Sequence, residues 1–335
     1  MSTPPIPAWV MAPAVRLTVV SLALVTALAR PAEAADSRGG VEMVRGEGTI
    51  DARIDGQPVF SYVVVPRVEG GHGAEFTRGG YLHPVRSPNG VLVTDAFSHD
   101  HPHQTGLFAA WTATRFRGHE VDFWNLGKKL GRVEPAGVER TWSGPAEGGL
   151  VARHRYVDLT GAEPVTVLDE WWQVTVHRTE PGDPRIMDIE IRQAPAGDET
   201  LELLEYRYGG FTFRGHARWL ETRRIDLLTS EGVRDRVQAN GTRVRWCAMA
   251  GAVDGAVAGL AILGHPSNVR APQPIRVHPS MPMLNFAPTQ LGAFAIVAGS
   301  THLARYRIVV FDGPPDAAML EAEWQRYAKL PVGKP

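Results

Sequence analysis

The chain has 335 residues, with 35 Lys and Arg against 36 Asp and Glu and a formal net charge of -1. A balance so close to zero excludes a protein built to neutralise a phosphate backbone or coat an anionic membrane, so nucleic acid is not an expected partner. Cys247 is the single cysteine; it sits in the apolar stretch Val244 to Ala250 and reads as a small buried hydrophobe rather than a thiol nucleophile.

From the amino terminus, Arg16 precedes the apolar run Leu17 to Ala29, and Ala32-Glu33-Ala34 is a small-x-small cleavage pattern. Residues 1–34 are therefore expected to be a signal peptide and the product to be secreted or periplasmic. An uncleaved anchor is the alternative. Nothing later is long and apolar enough to span a bilayer, so no membrane span is expected in the mature chain. Residues 35–335 are read as one domain.

Strand signals then dominate, as short Val, Ile, Tyr, Phe and Trp stretches between Gly, Pro, Asp and Asn clusters. Gly48 to Ile54 and Pro58 to Val65 flank an Asp55-Gly56 turn, and Leu150 to Asp158 follows. In Leu168 to His177, the residues Leu168, Trp172, Val174 and Val176 share one face. Arg185 to Arg192 repeats the alternation with Met187, Ile189 and Ile191. Further strands are expected at Leu201 to Tyr208, Phe211 to Arg214, Val244 to Ala250, Gly259 to Leu263 and Leu303 to Phe311. Asp312-Gly313-Pro314-Pro315 ends the last one, and Asp316 can cap a helix carrying Leu320, Trp324 and Tyr327 on one face. Many strands without βαβ alternation predict an all-β fold, a sandwich or a barrel, with this helix lying over a sheet edge or the core.

Five of the twelve histidines fall between His72 and His103. Histidine can donate or accept a proton near neutrality and can ligate metals. The segment His99-Asp100-His101-Pro102-His103-Gln104-Thr105-Gly106, with His83-Pro84 before it and Asp122-Phe123-Trp124 after it, is bounded by Pro and Gly. It reads as a functional loop on a sheet scaffold.

These motifs, together with His265-Pro266-Ser267-Asn268, resemble the PmoA-like proteins, a family of unknown function often labelled methane oxygenase. The likeness departs at Gln104, where the pattern has a second adjacent histidine, and at Gly264, where an acidic residue is usual. Methane oxidation is rejected, because membrane methane oxygenase subunits need spanning helices that this sequence lacks. The resemblance implies a large antiparallel β-sandwich similar to the galactose mutarotase superfamily, whose concave face binds sugars.

A carbohydrate site combines aromatic faces with hydrogen-bonding groups. Trp111, Trp124, Tyr208 and Trp219 are the candidate aromatics, with ordinary core packing as the alternative for each. Glu205 shares a predicted strand face with Leu201 and Leu203, where its carboxylate would be desolvated; a solvated position or an ion pair with Arg207 or Arg214 is the alternative. His265, Asn268 and His278 form a second cluster, which a turn held by the Asn side chain would also explain.

The leading expectation is a carbohydrate-active enzyme, an epimerase, lyase or hydrolase. His101, His103, Glu205 and His265 would be its acid-base groups, and His83, Asp100, Trp111, Asp122, Trp124, Tyr208, Asn268 and His278 its binding groups. The two histidine segments are expected to meet in one cleft. No cofactor is expected. The alternatives are a divalent-metal enzyme using His83, Asp100, His101 and His103, and a noncatalytic sugar-binding module.

Overall fold

Period-2 alternation in long antiparallel strands leaves each strand with one apolar face, and two such faces bury each other in a sandwich. The computed structural model describes residues 39–222 and 224–331; the expected signal peptide lies outside them. Two eight-stranded sheets make up most of the fold. The first runs Val41–Arg45, Thr49–Ile54, Gln57–Val63, Leu82–Val85, Leu107–Ala110, Gly210–Arg214, Met283–Phe286 and Ile275–Val277. The second runs Gly131–Trp142, Glu147–Asp158, Val165–His177, Arg185–Pro195, His302–Asp312, Ala256–Gly264, Trp246–Val253 and Asp226–Thr229. The fold is a large antiparallel β-sandwich with a short C-terminal helix, as expected.

The predicted faces are the observed ones. Trp172 pairs with Ile191, Val174 with Ile189 and Val176 with Met187, and all six side chains enter the intersheet core. Across the gap Phe211 of the first sheet lies 5.9 Å from the Trp172 ring and stacks at 4.7 Å on Tyr306. Cys247 is buried in the same core, which pushes its thiol above the ordinary range.

The apolar faces also carry polar groups that their alternation hides. His154 pairs with Glu170, and Glu170 with Gln193. His154 Nδ1 lies 2.7 Å from the Glu170 carboxylate and Nε2 lies 2.7 Å from the Tyr62 hydroxyl. Gln193 donates to Glu170 and accepts from the Trp111 indole at 2.9 Å. Each buried polar group is tolerated because it is partnered. Trp111 thereby belongs to the core and is corrected as a sugar platform. Trp219 is corrected likewise, being fully buried against Phe213.

The C-terminal helix Ala317–Tyr327 covers the outer face of the second sheet, packing Leu320 and Tyr327 on Trp246, Leu263 and Val309. Asp316 caps it, accepting from Ala318 N–H at 2.8 Å and Met319 N–H at 3.1 Å. Asp316→Ala is expected to cost about 1 kcal/mol and lower the melting midpoint by about 2 °C. A thermal melt checks it; an unchanged midpoint would mean that packing alone holds the helix.

Two segments differ from expectation. The histidine segment is a short hairpin, Ala96–Ser98 against His101–Thr105, rather than a loop. Its strands carry no hydrophobic alternation and so leave no periodic signal. The strand expected over Leu201 to Tyr208 stops at Leu203, where Leu204 N–H turns to the Ala113 carbonyl.

Candidate functional site

The site is built on the outer face of the first sheet. Phe211 and Phe213 point into the core, so Thr212 and Arg214 on the same strand point outward. Thr212 pairs with Phe108 on one side and Asn285 on the other, and Asn285 pairs with Arg276. Arg276, Asn285, Thr212 and Phe108 therefore form one row across that face. Asn285 donates to Thr212 Oγ1 at 3.0 Å and accepts from Gly209 N–H at 3.0 Å, fixing the chain just after Tyr208.

The histidine hairpin folds over this floor and is anchored by Arg214, whose side chain is fully buried. Arg214 donates to Asp100 Oδ1 at 2.7 Å, Ser98 Oγ at 2.6 Å and Gln104 Oε1 at 3.0 Å. Gly106 ends the hairpin at a φ of 55°, and a Cβ there would overlap the Leu82 carbonyl oxygen. That position requires glycine. Gln104 thus stands as an anchor for the arginine that holds the hairpin.

The second Asp100 oxygen lies 3.2 Å from His101 Nδ1. Burial raises the Asp100 carboxyl, but His101, Arg214 and Ser98 together outweigh it and hold the group below the usual carboxylate range. The contact with His101 is an ion-pair distance without hydrogen-bond alignment, and the Asp100 charge beside Nδ1 favours the His101 tautomer with its proton there and the lone pair on Nε2. His101 and His103, two residues apart on one strand, share a face, with ring centroids 5.5 Å apart. Burial, then His101 and Arg78, push His103 down to about 3.

His278 approaches from a different segment, its ring 6.1 Å from that of His101. Its Nδ1 accepts the backbone N–H groups of Ser280 and Met281, at 3.3 and 3.2 Å. The neutral ring therefore carries its proton on Nε2 and can only donate there. Burial, then Arg276 and His101, push this group down to about 4.

An aromatic wall closes the opposite side. Trp124 packs on Phe108 with ring centroids 5.1 Å apart, and Tyr208 on Trp124 at 5.0 Å. Tyr208 donates to Asn125 Oδ1 at 3.3 Å, and Asn125 Nδ2 donates to Asp122 at 2.8 Å. Burial raises the Tyr208 phenol above its ordinary range despite the Asn125 bond, so it keeps its proton. Together these residues bound a cavity of about 170 Å³, with Arg207 and Arg276 at its rim and Met281 and Met283 below. A larger groove, about 670 Å³ between Pro66 and Pro135, contains no histidine and no comparable convergence of groups.

A family model matches residues 49–325 of the chain. The chain belongs to DUF6807, a family of unknown function. The likeness to PmoA-like proteins is accordingly corrected, since no PmoA-like family is found; short His-Pro and Asp-Phe-Trp motifs do not determine a family. No curated protein matches this DUF6807 chain. Similar solved structures include a heparan sulfate lyase HepC from Pedobacter heparinus, at 10% identity and a TM-score of 0.37, covering 82% of this chain and 37% of that one. Another is the GH36 alpha-galactosidase AgaA from Geobacillus stearothermophilus, at 10% identity and a TM-score of 0.31, covering 82% and 41%. The DUF6807 chain thus spans about two fifths of the length of these structures.

Of the predicted residues, His101, His103, Trp124, Tyr208 and His278 line one cavity, with Asp100 directly behind His101. Asp122 is fully buried, and its oxygens are taken up by Trp124 N–H, the Asn125 backbone and side chain, and Lys128 at 2.9 Å. It orients Asn125 and so Tyr208, and its assignment as a substrate contact is corrected. His83 does not line the cavity; its Nδ1 lies 2.9 Å from Thr94 Oγ1. Glu205 lies beyond the strand end and is exposed, which removes the desolvation expected of it.

His265 and Asn268 do not join the cavity, which corrects the expected single cleft. His265 is buried under the C-terminal helix, against the Tyr327 ring at 5.2 Å. Its Nδ1 accepts from Ser267 N–H, and Nε2 lies 3.2 Å from the Leu330 carbonyl. Asn268 is spent on Arg305, donating to its carbonyl and accepting from its N–H. Both tie the helix side of the second sheet together. Among the described residues no three His, Cys, Asp or Glu side chains are placed to hold a metal ion, and the proposed set is split by the distance of His83 from the cavity and by Asp100 facing Arg214.

Sequence reasoning gave no site role to Asn125, Arg207, Arg214, Arg276, Met281 and Met283. Arg214 and Arg276 had a signal: each is a cation alternating with apolar core residues, Phe211 and Phe213 in one strand, Ile275 and Val277 in the other.

Proposed function

We propose that this chain is a carbohydrate-active enzyme in which His101 is the general base, with Tyr208 and His278 as hydrogen-bonding groups for the sugar oxygens. The observation that carries the reading is the Arg214–Asp100–His101 series, which opens onto a small cavity walled by Trp124 and Tyr208. A base needs its proton on the far nitrogen, and the Asp100 charge beside Nδ1 favours that tautomer. His278 offers an Nε2–H to a sugar oxygen; it acts as a hydrogen-bond donor, because a neutral imidazole does not surrender that proton near neutrality. The half-buried Tyr208 ring suits the C–H face of a pyranose, and the buried Trp124 backs it.

The lining favours an isomerase or lyase over a hydrolase. Glycoside hydrolysis in its usual form needs two carboxyl groups across the bond, and among the described residues no Asp or Glu lines this cavity. Its volume, below the roughly 300 to 1,000 Å³ of larger ligand pockets, suits one sugar ring. Export to the periplasm or beyond, proposed from residues 1–34, would place the enzyme where extracellular glycans are met.

Proton nuclear magnetic resonance in D2O tests the reading, with methyl glycosides of glucose, galactose, glucuronate and galacturonate as probes. The expected result is loss of one sugar C–H signal to deuterium, or conversion of the sugar, with the wild-type protein. Sugar binding with neither exchange nor conversion would favour a noncatalytic module.

A further inference from the structure

Two guanidinium groups at the cavity rim are not used by the chemistry described above. Arg276 lies in the row on the sheet face and Arg207 adjoins Tyr208 in sequence, so different segments bring both to the same opening. Arg207 sits over the Tyr206 and Tyr208 rings, with its Cζ 5.8 and 5.6 Å from their centroids. Arg276 donates to Asn240 Oδ1 at 3.0 Å, while its buried Nε has no partner.

Among the described residues neither has a carboxylate within ion-pair distance, whereas Arg192, Arg214, Arg305 and Arg307 each do. Burial, and then Arg207, lower the Arg276 guanidinium from its ordinary value. Two cations at one opening, with the half-buried one lacking a counter-ion, favour an anion that both can reach. Guanidinium pairs bind carboxylate and sulfate groups through parallel N–H donors.

We infer that Arg207 and Arg276 form an anion clamp, and that the sugar taken by this cavity carries a negative group, either the carboxylate of a uronic acid or a sulfate ester. The inference rests on the sugar reading of the cavity and adds the class of sugar. Asn240 accepts from the Arg276 head, and the Tyr206 and Tyr208 rings lie beside the Arg207 guanidinium, so the clamp is partly ordered before the ligand arrives.

Calorimetric titration of the full chain tests it, with D-glucuronate, D-glucose 6-sulfate, D-glucose and acetate as the probes. The expected result is that glucuronate or glucose 6-sulfate binds at least about tenfold tighter than glucose, the worth of one charge-assisted contact. Glucuronate ahead of the sulfate identifies a uronate, and the reverse order a sulfate ester. Arg207→Gln and Arg276→Gln should each collapse that preference toward unity, and Arg207→Lys should keep part of it. Arg207 is exposed, so its variants also cover the case in which Arg276→Gln disturbs the fold, and melting midpoints report this.

Glucose binding as tightly as the anionic sugars, with the Arg variants unchanged, would overturn the clamp and leave the sugar reading standing. Acetate binding as tightly as glucuronate, in an Arg-dependent way, would retain an anion site but overturn the sugar as its ligand. Binding of none of the four would overturn the inference.

Discussion

Replacing His101 with Asn is expected to lower turnover of the sugar substrate by about a hundredfold to ten-thousandfold, the usual worth of a positioned general base. The melting midpoint should stay close to that of the parent protein. His101 is partly exposed on a short hairpin outside both core sheets, so the change opens no core cavity. Substitutions at such positions usually stay within about 0.5 kcal/mol. Asp100→Asn should act in the same direction through the His101 tautomer, while also loosening the Arg214 anchor and therefore lowering stability. Turnover and thermal midpoint measured on the same preparations separate the roles. A His101→Asn protein that melts like the parent and still turns over substrate normally would remove His101 as the base.

Acidification is expected to destabilise the fold steeply between about pH 6.5 and pH 4. The depressed histidines drive this, foremost His83, His103 and His302, with His278, His265 and His216 acting in the same direction. Burial first, aided by Arg67 and His216, lowers His83 to about 4; burial, His101 and Arg78 lower His103 to about 3; burial alone lowers His302 to about 4. Each group is depressed in the folded state, so below about pH 6.5 the unfolded chain takes up a proton that the native one refuses. Stability is complete above that pH and falls as pH drops toward the folded values. The slope is about 1.4 kcal/mol per pH unit for each histidine, or about 4 kcal/mol per unit for the three.

The depressed carboxyls Asp100, Asp122 and Asp188 act in a lower window, because their contribution is lost only as pH falls from their unfolded value toward their lowered ones. Denaturant melts at pH 7.5, 6 and 5 read the effect. His302→Phe, which keeps an aromatic ring against Trp111 and Phe294, should cost less at pH 5 than at pH 7.5. A midpoint that is flat from pH 7.5 to 5 would contradict the assignment of these histidines as neutral in the fold.

What the sequence by itself determined is local. Side chains two apart on a strand face the same way, so Trp172, Val174 and Val176, with Met187, Ile189 and Ile191, announced a core face before any partner strand was known. Asp316 announced its helix because a cap acts on the next three residues. The aromatic and histidine types of the site were legible too, as was their concentration near His101.

What only the tertiary structure decided is which segments meet. Gly210–Arg214 lies between Leu107–Ala110 and Met283–Phe286, strands remote in sequence, and this order sets Arg214 behind Asp100 and brings His278 to His101. The same order sends His265 and Asn268 to the far side of the sandwich, beneath the C-terminal helix. Glu205 reverses expectation, and Glu170 shows the same physical reason from the other side. A carboxylate's environment depends on where the strand ends and what pairs beside it, so Glu205 is left in solvent past Leu203 while Glu170 is buried between His154 and Gln193. Alternation can tell which face a residue takes, but the partner that makes a buried charge tolerable comes from a strand that the local pattern does not name.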